Sequence, residues 1–182
     1  SLTGCPPAGV QPPKHLFHIR TLDSGIAVEI AKALFEHCGY QVRHTGYEHT
    51  TPEWVSSLKS GDTNPAAAFI RGKPDLMVYD HRFNTVYEIE VKTTNKPSSR
   101  WRVRKDHIDT QRHYHPEAML MIYVQHEHQF YACALRKIDW GNMATYTYES
   151  RVFYEVDLER CLLKPTQIFD RVKPNDYFPF LE

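Results

Sequence analysis

Three side chains in this sequence have the types and the spacing to act on an anionic ester: Asp75, Glu90 and Lys92. Asp75 follows Pro74, and fourteen residues separate it from the run Glu90-Val91-Lys92. A phosphodiester resists attack by water, so a site that cleaves it must neutralise charge on the phosphate and supply a hydroxide at neutral pH. Paired carboxylates are hard oxygen ligands suited to Mg²⁺, which typically keeps several waters and binds through one or two carboxylates. A lysine on the same face can orient the water and stabilise negative charge as it develops. An acidic residue followed at a distance by Glu-x-Lys also arises by chance, and is then a solvated strand face. The elements that carry the three residues decide between these readings.

A strand is predicted over 75–79 and a second over 85–93, joined by the turn Asp80-His81-Arg82-Phe83-Asn84 and paired antiparallel. The two-residue period sends Tyr87, Ile89 and Val91 one way and Glu88, Glu90 and Lys92 the other. Upstream, a helix is predicted over 24–38, with Asp23 or Ser24 as N-cap and Gly39 just past its end. Its apolar stripe is Ile26, Ile30, Ala33, Leu34 and His37, flanked by Glu29 and Glu36. A short strand at 41–44 and a helix from Thr50 or Thr51 through Leu58 follow, then a long connection over 61–74, extended at 66–70. Downstream the pattern predicts a helix over 101–114 closed by Pro116, strands over 118–124 and 129–135 around a His-Glu-His turn, a strand over 151–156 and a helix over 158–163.

This order resembles the restriction-endonuclease-like, or PD-(D/E)xK, nuclease superfamily over roughly residues 24–135. Gly72-Lys73-Pro74-Asp75 and the threonine after Lys92 are similar to RecB-like nucleases, and Ile89-Glu90-Val91-Lys92 to archaeal Holliday junction resolvases. The resemblance implies an α/β fold with a restriction-endonuclease-like mixed β-sheet flanked by helices. It further implies a metal-dependent nuclease that hydrolyses phosphodiester bonds in DNA endonucleolytically, with Mg²⁺ or Mn²⁺. Asp75, Glu90 and the Val91 carbonyl would be metal ligands, with Glu29 as a further carboxylate and Lys92 as the catalytic amine. Gln111 resembles the downstream glutamine of RecB-like enzymes. The tyrosine that usually follows it four places later is replaced, since Tyr114 comes after three and His115 after four. The alternative is a catalytically silent member of the fold serving as a nucleic-acid-binding or assembly subunit; the intact Asp, Glu and Lys set counts against it.

The chain of 182 residues carries 22 basic and 22 acidic residues, so it is not a protein that coats nucleic acid over its whole surface. The distribution is uneven. Lys92, Lys96, Arg100, Arg102, Arg104 and Lys105 fall in a stretch with no acidic residue, leaving 16 basic against 22 acidic elsewhere. With Trp101 among them, Lys96, Arg100, Arg102, Arg104 and Lys105 suit phosphate contacts and base stacking beside the site. The bland reading is an exposed helix start whose cations serve solubility. The expected partner is nucleic acid, DNA ahead of RNA, with no membrane, and a homodimer would suit the cutting of two strands.

Length and 41% hydrophobic residues fit one domain: a loose tail over 1–20, then a domain over 21–182 with core 24–135 and extension 136–182. No apolar run approaches the ~20 residues that span a bilayer. Cys5, Cys38, Cys133 and Cys161 form no Cys-x-x-Cys pair, so reduced thiols in a cytoplasmic protein are expected. His113 with His115 and His126 with His128 have alternate spacing, but they fall at a helix end and a hairpin turn and are not read as a metal site.

Overall fold

Two β-sheets built from non-contiguous parts of the chain organise the molecule. The computed structural model describes residues 14–46, 64–94, 100–157 and 168–172. Helix α1 (Lys14–His37) leads into β1 (Gln41–His44), α2 (Pro65–Arg71), β2 (Leu76–Asp80), β3 (Thr85–Thr94), β4 (Arg100–Arg104), α3 (Lys105–Tyr114), β5 (Met119–Val124), β6 (Gln129–Ala134), β7 (Thr145–Tyr148) and β8 (Arg151–Asp157). The larger sheet has the order β1-β2-β3-β5-β6, with β3 and β5 parallel and every other pair antiparallel. A parallel pair needs a crossover, and here β4 and α3 supply it. The expected mixed sheet flanked by helices is therefore the architecture observed. The smaller sheet, β4-β8-β7, is antiparallel.

One face of the large sheet packs on α1. Ala27, Ala31, Leu34 and Phe35 recur at helical spacing and are buried against Leu76, Val78, Ile89, Val91 and Met121. This corrects the predicted stripe by a rotation of the helix: Ile26 is 56% exposed. The two alanines present a flat surface on which a sheet can lie close. The helix also begins at Lys14, so residues 14–20 belong to it and not to a tail. Gly39 follows at φ 88°, a conformation that a side chain would strain. Phe169 and Val172 close this core from far along the chain, Phe169 meeting Phe35 at 5.0 Å and Tyr87 at 5.3 Å between ring centroids. Beside them Arg82 bridges Asp80 and Asp170.

The opposite face packs on α3 and the small sheet. Trp101, Val103, Ile108, Leu120, Ile122, Tyr154 and Val156 are buried together there. All six residues of β5 are buried, as a central strand covered on both faces requires.

Three expectations are corrected here. Residues 100–104 form a strand, not the start of a helix. Their exposure alternates, with Trp101 and Val103 inward, because β8 lies beside them and rewards a two-residue period. Residues 65–71 are helical, not extended: Asn64 accepts a bond from the Ala67 N–H at 2.9 Å and Pro65 takes the first position, so Asn-Pro is a cap and not a turn. Strand β7 had no counterpart in the sequence reading. It joins β8 through Glu149 and Ser150, at φ 46° and 62°, a two-residue hairpin turn built without glycine or asparagine. The helices expected from Thr50 or Thr51 and over 158–163 lie outside the described residues, as does Lys96.

Candidate active site

The pairing of β2 with β3 sets the site. Leu76 pairs with Ile89, so Asp75, one step earlier, stands opposite Glu90, and opposed residues share a face. Asp75 is fixed from both sides: its Oδ2 accepts the Val91 N–H at 2.7 Å, and its carbonyl accepts the Thr45 N–H at 2.9 Å. Ile89 and Val91 are claimed by the α1 core, which leaves Glu90 and Lys92 facing α3.

Glu90 is 3% exposed, and each of its two carboxylate oxygens has a partner. Lys92 Nζ lies 2.6 Å and His107 Nε2 3.2 Å from Oε1. Gln111 donates through Nε2 to Oε2 at 2.7 Å and to the Gly72 carbonyl at 3.2 Å. Burial pushes the Glu90 carboxyl up, but the Lys92 charge and the His107 contact outweigh it and hold the carboxyl well below the usual range. His107 and Gln111 are four residues apart on α3 and so share a face. Lys92 and His107 are themselves 3.3 Å apart, close enough for the imidazole to hold the amine. At Gly72 an added Cβ would sit 3.3 Å from the Ala68 carbonyl and 3.5 Å from Thr110, so the chain passes tightly under α3 and its carbonyl reaches Gln111.

Gln111 is wholly buried and its Nε2 serves two acceptors, yet among the described residues its Oε1 has no hydrogen-bond partner. An acceptor left this way costs ~1–3 kcal/mol unless a donor arrives. The water shell that Mg²⁺ retains is such a donor, and two carboxylates are the hard ligands this ion prefers, so the residues present fit a hydrated dication. Among the described residues no three His, Cys, Asp or Glu side chains gather around one point.

The structure brings Asp75, Glu90, Val91, Lys92 and Gln111 together. It does not bring Glu29 to them: that carboxylate projects from α1, on the other side of the sheet, to within 2.9 Å of His44 Nε2 on β1 and is 62% exposed. Glu88 turns to His115 Nδ1 at 3.1 Å. His115 in turn contacts the Phe69 carbonyl at 3.1 Å, which ties the end of α3 to α2. The residue that sequence reasoning missed is His107. Its signal is its place one turn before Gln111, on a helix that starts at Lys105 and not at Trp101.

The basic stretch looks different in space. Arg102 pairs with Glu155 at 3.0 Å, Arg104 pairs with Asp106, Lys105 reaches Asp109 at 2.5 Å, and Arg100 stands opposite Asp157 across β4 and β8. The acids come from β8 and α3, so the excess along the sequence is largely offset in the fold. Trp101 is 8% exposed and part of the core, which corrects its expected role as a stacking residue. Lys92 and His107 line a groove of about 830 Å³, together with Arg71, Arg102, Arg104 and Phe153.

No family model and no curated protein matches the sequence. Among solved structures, the chain is similar to a Holliday junction resolvase from Archaeoglobus fulgidus, an archaeal hyperthermophile, at 11% identity and a TM-score of 0.48, over 80% of this chain and 94% of that one. It is also similar to a nuclease from a fusselovirus, at 13% identity and a TM-score of 0.44, over 94% of this chain and 98% of that one.

Proposed function

We propose that this chain is a metal-dependent nuclease that hydrolyses phosphodiester bonds in DNA by internal cleavage. One observation carries the reading: an acid pair and a lysine meet on one sheet face at the side of an open groove, with Lys92 Nζ 2.6 Å from Glu90 and Asp75 bonded to the amide between them. A module that only bound nucleic acid would gain nothing from two carboxylates facing an anionic ligand.

Asp75, Glu90 and the Val91 carbonyl are the proposed ligands of Mg²⁺ or Mn²⁺, which supplies a Lewis acid and a hydroxide at neutral pH. Gln111 holds Glu90 in position and offers its unsatisfied oxygen to a water. Lys92 leaves its resting contact with Glu90 to orient the attacking water and to stabilise negative charge on the phosphate, and His107 keeps the amine within reach. Glu29 has no part in this reading, because its carboxylate is on His44. DNA is proposed ahead of RNA, and two copies related by a two-fold axis would serve the two strands of a duplex or junction.

The test is incubation of the protein with labelled duplex, junction and single-stranded DNA and with RNA, in Mg²⁺, Mn²⁺ or chelator. Cleavage is expected in metal and not in chelator, and it is expected to vanish with Lys92→Ala. Binding without cleavage in every metal would replace this reading with that of a silent nucleic-acid-binding or assembly subunit.

A further inference from the structure

The small sheet has a second face. Trp101, Val103, Tyr154 and Val156 point into the core, so by strand alternation their neighbours point out. On β4 these are Arg100, Arg102 and Arg104; on β8 they include Arg151 and Phe153; on β7 they are Tyr146 and Tyr148. The register sets Arg104, Phe153 and Tyr146 in one row across the three strands and Tyr148 opposite Arg151. The Arg102 guanidinium lies 3.7 Å from the Tyr146 ring centroid. All three aromatic residues are only half-buried, and all four arginines are exposed.

Partly exposed rings on a sheet, interleaved with exposed arginines, match what an unpaired base requires: a flat π surface for its own face and a cation for its phosphate. In a duplex the base faces are already stacked and are not on offer. Charge alone does not explain the face, since Glu155 and Asp157 lie on it and offset part of the arginine charge. A ligand that gains from stacking as well as from phosphate contact is the one that fits. The face is also continuous with the groove at Lys92, because Phe153, Arg102 and Arg104 line both.

We propose that the outer face of β4, β8 and β7 is a stacking platform for a single-stranded segment of nucleic acid, whose backbone then crosses the groove to Lys92. The second half of this inference rests on the nuclease reading; the binding does not.

The experiment is fluorescence anisotropy of the full chain in chelator, with labelled oligothymidylate and oligouridylate of about 15 nucleotides and a blunt duplex of equal length, a span within the ~4–16 nucleotides that such surfaces take. The single strand is expected to bind at least ~10-fold more tightly than the duplex, and the two oligomers separate DNA from RNA as the source of the strand. Tyr146→Leu and Tyr148→Leu, which keep apolar bulk and remove the ring, should each weaken single-strand binding by roughly tenfold, the scale of one lost base stack. Tyr146→Phe should retain it. A thermal melt of each variant checks the fold, and Tyr148 near the turn gives a second reading should Tyr146→Leu unfold. Equal or tighter duplex binding, or wild-type affinity in both leucine variants, overturns the platform. Ring-dependent binding with no cleavage in any metal leaves the platform standing and removes the nuclease. Metal-dependent cleavage with no preference for unpaired strands removes the platform alone.

Discussion

Replacing Gln111 with leucine tests the site without touching a reacting group. The side chain is wholly buried and its amide holds two acceptors, Glu90 Oε2 at 2.7 Å and the Gly72 carbonyl at 3.2 Å. Leucine keeps most of the volume and none of the bonds. The bond to an ionised carboxylate contributes roughly 1.5–3 kcal/mol, and the stranded Gly72 carbonyl adds about 1 kcal/mol more. Removing the unsatisfied Oε1 returns about 1 kcal/mol, since that buried acceptor no longer lacks a partner. The net expectation is a loss of about 1.5–3 kcal/mol, most of it from the charged bond. Urea unfolding measures it as a fall in midpoint at unchanged m. In the same variant Glu90 loses its anchor, so calorimetric Mg²⁺ affinity should fall as well. A loss under ~0.5 kcal/mol, the scale of an ordinary surface substitution, would mean that the two bonds do not hold the site.

Lys92→Ala should slow single-turnover cleavage by ~10²–10³ while leaving nucleic-acid affinity nearly unchanged, because one amine in a preorganised site matters far more to the transition state than to total charge; equal rates would dismiss its assigned role. Glu90→Gln should differ by losing Mg²⁺ affinity as well as rate, read by calorimetry beside the cleavage assay. Glu90 also sets an acid limb. Burial raises its carboxyl, Lys92 and His107 lower it by more, and a group depressed in the folded state stabilises fully above its unfolded pKa of ~4.3 and loses that stability as pH falls towards the folded value. Unfolding free energy measured from pH 6 downward should therefore drop more steeply in wild type than in Glu90→Gln, and parallel curves would contradict the assignment. At the β7–β8 turn, Glu149→Asn with Ser150→Gly should raise stability by roughly 1 kcal/mol, since both positions have positive φ; a lower melting midpoint would show the turn to be misassigned.

The grouping of Asp75, Glu90 and Lys92 is legible in the sequence because one strand announces it. In β3 the alternation of Tyr87, Ile89 and Val91 with Glu88, Glu90 and Lys92 fixes which side chains face the core, and the antiparallel hairpin then brings Asp75 across from Glu90. Local chemistry was enough there. It was not enough for residues 100–104, where Trp101 and Val103 suit either period and only the distant β8 decides. Glu29 misled for a related reason: its place on a helix was read correctly, but which way the helix rotates depends on the sheet beneath Ala27 and Ala31. Residues Glu149 and Ser150 carry no turn signature, so β7 was invisible. The basic stretch has the pattern of a positive surface because Asp106 and Asp109 fall just past its end and its other acidic partners, Glu155 and Asp157, lie about fifty residues downstream.

The packing of Phe169 and Val172 beneath α1 bears on how the chain is made as well as on how it is held. Phe35, Tyr40 and Tyr87 emerge from the ribosome long before the ring that covers them, so the first core stays unsealed while more than eighty further residues are added after Tyr87. Until then a nascent chain presents an aromatic surface to its neighbours, the condition under which partly folded chains associate and chaperones are needed. Synthesis that pauses between Tyr87 and Phe169 should therefore yield aggregates, whereas release after Val172 lets the domain close.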